Sequence, residues 1–167
     1  RLQRRAALHG KVGLDEFVVF LKEALVREGV DTRGLTQTDE AKTGITFVSL
    51  DDQGDRSFLF FREPSADMTV DPADIDEDLI AQSRVFQAGS NLLTEARPRK
   101  ATRHALELAA RHDCIVSYDP NIRLHLWPHP DEARRHATDV LDLAHVVKIN
   151  EEELAFFADG GSLQTAW

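Results

Sequence analysis

An α/β fold, with a parallel sheet flanked by helices and a separate β-hairpin, is the architecture this 167-residue sequence predicts. Three observations lead there. β-Rich runs recur roughly every 30 residues in the second half of the chain and alternate with helical patterns of about 10–15 residues, the signature of right-handed βαβ units. The first half instead holds two β-rich runs joined by an Asp- and Gly-rich turn. Apolar residues make up 42% and charged residues 29% of the chain, a globular balance far from that of disordered segments.

Taken in order, Asp15 to Glu28 reads as an amphipathic helix. Phe17, Phe20, Leu21, Ala24 and Leu25 fall at helical spacing, the first turn is acidic, and Gly29 stands at the stop position. Thr43–Leu50 and Arg56–Phe61 predict two strands of a hairpin spanning 43–61, turned by Asp51-Asp52-Gln53-Gly54-Asp55. From Asp71 the period changes, and 71–157 reads as an alternating α/β core. Asp71-Pro72 opens a helix bearing Ile75, Leu79 and Ile80. Strands follow at Arg84–Ala88, Cys114–Tyr118 and His145–Ile149, with helices at about Arg97–Arg111, about Asp131–Leu143 and from about Glu151.

The net charge of −9 disfavours nucleic acid and anionic membrane as partners, and no basic stripe overrides it. No apolar run approaches the roughly 20 residues a membrane-spanning helix needs. The lone Cys114 has no internal disulfide partner and reads as a small core hydrophobe, so a reducing, cytoplasmic setting is expected. The chain starts without Met, inside what reads as an element, and we expect a piece of a longer protein.

In parallel sheets, ligands bind beyond the carboxyl ends of the strands. That rim here comprises Gly89-Ser90-Asn91, Asp119-Pro120-Asn121-Ile122-Arg123 and Lys148-Ile149-Asn150-Glu151-Glu152-Glu153. Arg123 offers a planar charged fork and Lys148 a point charge, both suited to phosphate. The same Asp-Pro-Asn run is also an ordinary turn sequence. Asn150 and Glu153, three apart at a helix start, suit either the water shell of Mg²⁺ or a capping box. Phe60 and Arg62 alternate onto one face of the hairpin strand and can clasp a sugar or an acid; an exposed edge Arg that discourages association is the competing reading. His125 and His129 are spaced i, i+4, but Pro128 breaks the helix that would align them on a metal.

These residues, with Gly10-Lys11-Val12-Gly13, Thr43-Gly44, Phe60-Phe61-Arg62-Glu63-Pro64-Ser65-Ala66-Asp67-Met68 and Leu126-Trp127-Pro128, resemble the ribokinase/PfkB carbohydrate kinases, most closely the fructokinases. The resemblance runs through nearly the whole chain and implies the central part (1–167) of one ribokinase-like kinase domain. It implies phosphorylation of a sugar hydroxyl, fructose for choice, by ATP with Mg²⁺. Phe60, Arg62, Asn121 and Arg123 would be substrate contacts, with Arg123 also supporting catalysis. Lys148, Asn150 and Glu153 would serve nucleotide and metal, Glu153 through water. The family's N-terminal sugar-binding segment and its Gly-Ala-Gly-Asp stretch, which carries the base, have no counterpart here; Gly160-Gly161-Ser162 is not that motif.

The chain alone is therefore expected to be inactive, and to associate through an exposed sheet edge, as a homo-oligomer or otherwise. A 2-keto-3-deoxygluconate kinase is the alternative enzyme, with Arg62 and Arg123 on a carboxylate. A non-catalytic sugar-binding or interaction module derived from the kinase fold is the alternative of another class. A Rossmann dehydrogenase is disfavoured because no strand is followed by Gly-x-Gly-x-x-Gly.

Overall fold

The computed structural model describes residues 5–62 and 64–158. Two compact units divide the chain, the first up to Asp76 and the second from Glu77.

In the first unit, β1 (Ala6–Ala7) pairs in parallel with β3 (Val30–Asp31), and β2 (Gly10–Gly13) with β4 (Leu35–Thr38). Helix α1 (Glu16–Arg27) joins β2 to β3. Its N-cap is Asp15, whose carboxylate accepts the Phe17 N–H, and Gly29, at φ +76°, ends the turn beyond it in a conformation that favours glycine. The inward side of α1 differs from the expected one. Val18 is buried and Leu21 and Leu25 are half-buried, whereas Phe17 and Phe20 are exposed.

Strands β5 (Ile45–Leu50) and β6 (Arg56–Phe61) form the expected antiparallel hairpin. Asp51 shapes its turn by accepting the Gln53 and Asp55 N–H groups at 2.9 Å each, and Gly54 adopts φ +85°. Both hairpin faces carry exposed apolar side chains: Phe47, Leu59 and Phe61 on one, Val48, Leu50 and Phe58 on the other. The segment after Asp71 is not one helix. A 3₁₀ turn, Pro72–Asp74, closes in a capping box with Asp71. Asp74 also binds the nearly buried Lys11 Nζ at 2.7 Å, and the separate helix α2 (Glu77–Ala81) begins in the second unit.

The second unit is built on a three-stranded parallel sheet ordered β7 (Val85–Gly89), β8 (Ile115–Asp119), β9 (Val146–Val147). Helix α3 (Ala96–Arg111) connects the first two strands, α4 (Pro130–Leu141) the next two, and α5 (Glu151–Phe157) follows. Ala101, Ala105, Leu108 and Ala109 of α3 are buried, as periodicity predicts. Register and burial separate the two faces of the sheet. Ala88, Val116 and Tyr118 are buried on one, while Val85, Ile115 and Val146 on the other are exposed. Cys114 is buried, its thiol donating to the Ile80 and Ser83 carbonyls, and burial raises its pKa.

Strand β9 is shorter than the predicted His145–Ile149. The His145 imidazole Nδ1 accepts the Val116 N–H at 3.1 Å, so a side chain replaces a main-chain acceptor where the pairing would begin. Pro128 does separate His125 from the next helix, and His129 serves as the N-cap of α4, its Nδ1 accepting the Asp131 N–H.

Candidate functional site

The carboxyl ends of β7, β8 and β9 deliver Ser90, Asp119 to Arg123, and Lys148 to Glu153. Strand β8 ends at Asp119, and Pro120 and Asn121 turn the chain. Asn121 adopts φ +43°, a left-handed conformation that Asn tolerates better than most residues. The turn is held from two sides. The Ser90 N–H donates to the Pro120 carbonyl at 3.2 Å, and the Ile122 N–H donates to Glu153 Oε1 at 2.7 Å.

Glu153 is 7% exposed and does two jobs at once. Its Oε2 accepts the Asn150 N–H at 3.2 Å while Asn150 Oδ1 accepts the Glu153 N–H at 2.8 Å, a complete capping box at the start of α5. Its other oxygen latches the loop that presents Asn121 and Arg123. The cap is thus present, and each carboxylate oxygen retains a lone pair for a further donor.

Lys148, with its side chain 71% exposed, forms an ion pair with Asp119 Oδ2 at 3.0 Å. Asp119 Oδ1 is buried and has no hydrogen-bond partner among the described residues. Arg123 is half-buried and donates from Nη1 to the Ile122 carbonyl at 3.3 Å. Asn121 is exposed. The rim thus gathers Asn121, Arg123, Lys148, Asn150 and Glu153 in the second unit, while Phe60 and Arg62 belong to the first.

In the first unit, Arg62 is not an exposed edge residue. Its side chain is 13% exposed, and its Nε and Nη2 both reach Asp67 Oδ2 at 2.6 Å. Ser65 Oγ donates to the other Asp67 oxygen. Gly44 lets this cluster approach the chain, since a Cβ there would sit 3.2 Å from Ser65 Cβ and 3.3 Å from Asp67 Oδ1. Phe60 is half-buried and stacks on Phe58 with ring centroids 6.2 Å apart.

Two carboxylates escaped the reading of the sequence as site residues. Asp119 lies in the same Asp-Pro-Asn run as Asn121, so its position was legible and its pairing with Lys148 was not. Asp67 emerged only as the counter-ion of Arg62.

Residues 1–161 match the family model described as "pfkB family carbohydrate kinase". The chain belongs to the pfkB family of carbohydrate kinases. Probable fructokinase-3 of Arabidopsis thaliana is 39% identical over 163 residues, covering 98% of this chain and 47% of the plant protein. Fructokinase from Xylella fastidiosa with bound ATP superposes with a TM-score of 0.83 at 35% identity, over 92% of this chain and 48% of that one. Fructokinase from Vibrio cholerae in its fructose-, ADP- and calcium-bound form gives 0.86 at 32% identity, over 99% and 53%. The ribokinase-like α/β fold of this pfkB chain follows from these likenesses, and the chain spans about half the length of the curated relatives it matches. Gly160-Gly161-Ser162, set aside above as a counterpart of the family's base-bearing stretch, lies outside the described residues.

Proposed function

We propose that this chain is part of an ATP-dependent, fructokinase-like sugar kinase that moves the terminal phosphoryl group of ATP to a fructose hydroxyl, giving fructose 6-phosphate and ADP. The observation that carries this reading is the loop Asp119 to Arg123, braced by Glu153 at the carboxyl edge of a parallel sheet. It offers a guanidinium, an amide and a lysine–carboxylate pair where a polyphosphate would dock. Relatives named fructokinase, and similar fructokinase structures with bound ATP or with bound fructose and ADP, support it.

Phosphoryl transfer depends mainly on positioning and on stabilising charge over the transferred group. Arg123 and Lys148 supply positive charge for that purpose, and Asn121 an amide for a hydroxyl or phosphate oxygen. Arg62 and Phe60 would hold the sugar, the guanidinium fixed in place by Asp67. Mg²⁺ fits the donor set: Asp119 Oδ1 is an orphaned buried carboxylate oxygen, and Glu153, which holds the Ile122 N–H three residues beyond Asp119, brings its carboxylate and its capping partner Asn150 to the same loop. Among the described residues no three His, Cys, Asp or Glu side chains are placed to cage a metal, so the ion would keep most of its waters. When bound, it would neutralise phosphate charge.

Because Asp67 already balances the charge of Arg62, a neutral sugar suits that position better than the carboxylate of 2-keto-3-deoxygluconate. We place the reaction in the cytoplasm, which the unpaired, buried Cys114 suits; among the described residues no helix is long and apolar enough to cross a membrane. We further propose that copies associate through the β5–β6 hairpin, whose apolar side chains are exposed on both faces.

A coupled assay of the parent protein with ATP, Mg²⁺ and a panel of fructose, glucose, ribose and 2-keto-3-deoxygluconate tests the reading. Fructose is expected to give the highest kcat/KM. Sugar binding without turnover would replace the kinase with a binding module. A polypeptide of these 167 residues alone is expected to show no turnover, and a rate near that of a full-length relative would overturn that part.

A further inference from the structure

Two buried hydroxyls beneath the Asp119–Arg123 loop are not used by anything described above. Tyr118 is 0% and Ser90 1% exposed, and neither Tyr118 Oη nor Ser90 Oγ has a hydrogen-bond partner among the described residues. Buried side-chain hydroxyls in native proteins are nearly always satisfied, by protein or by ordered water, because an orphaned one loses its hydration without compensation.

Their placement is specific. Tyr118 lies opposite Ala88 in the β7–β8 pairing and shares the covered face of the sheet with it. Ser90 follows directly on β7 and is tied to the loop through its N–H on the Pro120 carbonyl. The Tyr118 main-chain carbonyl accepts the Lys148 N–H at 2.9 Å, which brings the segment leading to Asn150 and Glu153 alongside. The phenol pKa is raised first by burial and then by the negative charges of Glu153 and Asp119, so those two carboxylates lie within electrostatic reach and the phenol remains a donor. Glu153, buried and holding one N–H on each oxygen, has acceptor capacity left.

We propose that Tyr118 and Ser90 are positioning residues: their hydroxyls hold an internal water that bonds onward to the Glu153 carboxylate and braces the latch between Glu153 and Ile122. Neither hydroxyl has a hydrogen-bond partner among the described residues, both side chains belong to the covered side of the sheet at the end where the loop begins, and one water with three polar partners is the smallest bridge that satisfies them. The consequence for phosphoryl transfer rests on the kinase reading, because the braced loop is the one that presents Asn121 and Arg123. The brace itself does not depend on it.

The variants Tyr118→Phe and Ser90→Ala remove little beyond the hydroxyl. Amide hydrogen exchange is followed at Ile122 and Glu153, whose N–H groups report the latch and the capping box, and at the middle of α3 as a control. Exchange at the two reporter amides is expected to rise about tenfold in either variant, the scale of one lost buried hydrogen bond, with α3 unchanged. In the active parent protein, kcat is expected to fall in either variant with the KM for sugar held. Reporter amides that exchange as in the unsubstituted protein would overturn the proposal. So would loosening that spreads equally through α3 in both variants. Should the reporters respond while no sugar is phosphorylated by the parent, the brace stands and the kinase reading fails.

Discussion

Replacing Glu153 by Gln keeps the size of the side chain and leaves one oxygen where two are needed. The Ile122 N–H at 2.7 Å and the Asn150 N–H at 3.2 Å each meet a carboxylate oxygen. In Glu153→Gln one of them must face an amide NH₂, donor against donor, and the surviving bond loses its charge. A hydrogen bond to a charged group contributes about 1.5–3 kcal/mol and a neutral one about 0.5–1.5, so one lost and one weakened bond amount to roughly 2–4 kcal/mol. Glu153 is buried, so solvent does not take over the orphaned donor, and the full range applies.

Thermal unfolding is expected to shift down by roughly 5–15 °C, at about 2–4 °C per kcal/mol for a chain of this size. The neighbouring Glu152, which is exposed, is the control: Glu152→Gln should melt within about 0.5 kcal/mol of the unsubstituted protein. A cycle with Asn150→Ala, the other half of the capping box, should be non-additive, because both substitutions release the same helix end. A Glu153→Gln protein that melts with the unsubstituted one would show that the latch contributes nothing, and with it would go the argument that Glu153 positions Asn121 and Arg123.

Three other outcomes follow from the first unit. Gly13→Ala should cost roughly 1–3 kcal/mol in urea unfolding, since its Cβ would lie 2.5 Å from Asp15 Oδ2, 2.7 Å from the Thr43 N and 2.8 Å from the Ala41 O; Gly10→Ala, whose nearest neighbour would be Leu35 Cδ1 at 3.6 Å, is the comparison that should be milder. The Thr43 N–H above all, with the Thr43 hydroxyl and the Phe17 N–H, holds the Asp15 pKa below its ordinary value. A depressed carboxylate adds stability above its unfolded pKa of about 3.9 that is lost as pH falls through the folded value, so Asp15→Asn should flatten the acid limb of a stability–pH curve, and an unchanged limb would refute the assignment. Leu59→Glu, on an exposed hairpin face, should reduce self-association in sedimentation velocity, and identical association in both proteins would remove the hairpin as the contact.

What the sequence makes legible here depends on how local the determinant is. Helix α3 and strands β7 and β8 carry a sustained pattern over five to sixteen residues, and they lie within a residue or so of expectation. Strands β1 to β4 carry no such pattern: two have two residues and two have four, and Gly10-Lys11-Val12-Gly13 lacks any alternation. The helix expected after Asp71 has a good local start, but Asp74 is drawn to Lys11, 63 residues away, and the turn closes after Pro72–Asp74. Phe17 and Phe20 share a helical spacing with residues that do face inward; periodicity places them on one side of α1 but cannot say what covers that side.

The candidate site divides along the same line. Asn150 and Glu153 announce a capping box through spacing alone, and the box is there. That the same carboxylate reaches Ile122, 31 residues earlier, is a tertiary fact with no local trace. Yet that contact accounts for the loop. Asn121 at φ +43° sits in a conformation that costs about 1 kcal/mol or more for a residue with a Cβ, and such strain persists only where surrounding bonds over-determine it. The Ser90 bond to Pro120 on one side and the Glu153 bond to Ile122 on the other supply that constraint. A loop so held would meet an anion without first having to be ordered, so on the kinase reading the residue that caps α5, rather than the ones that would touch a substrate, decides how well the rim is organised.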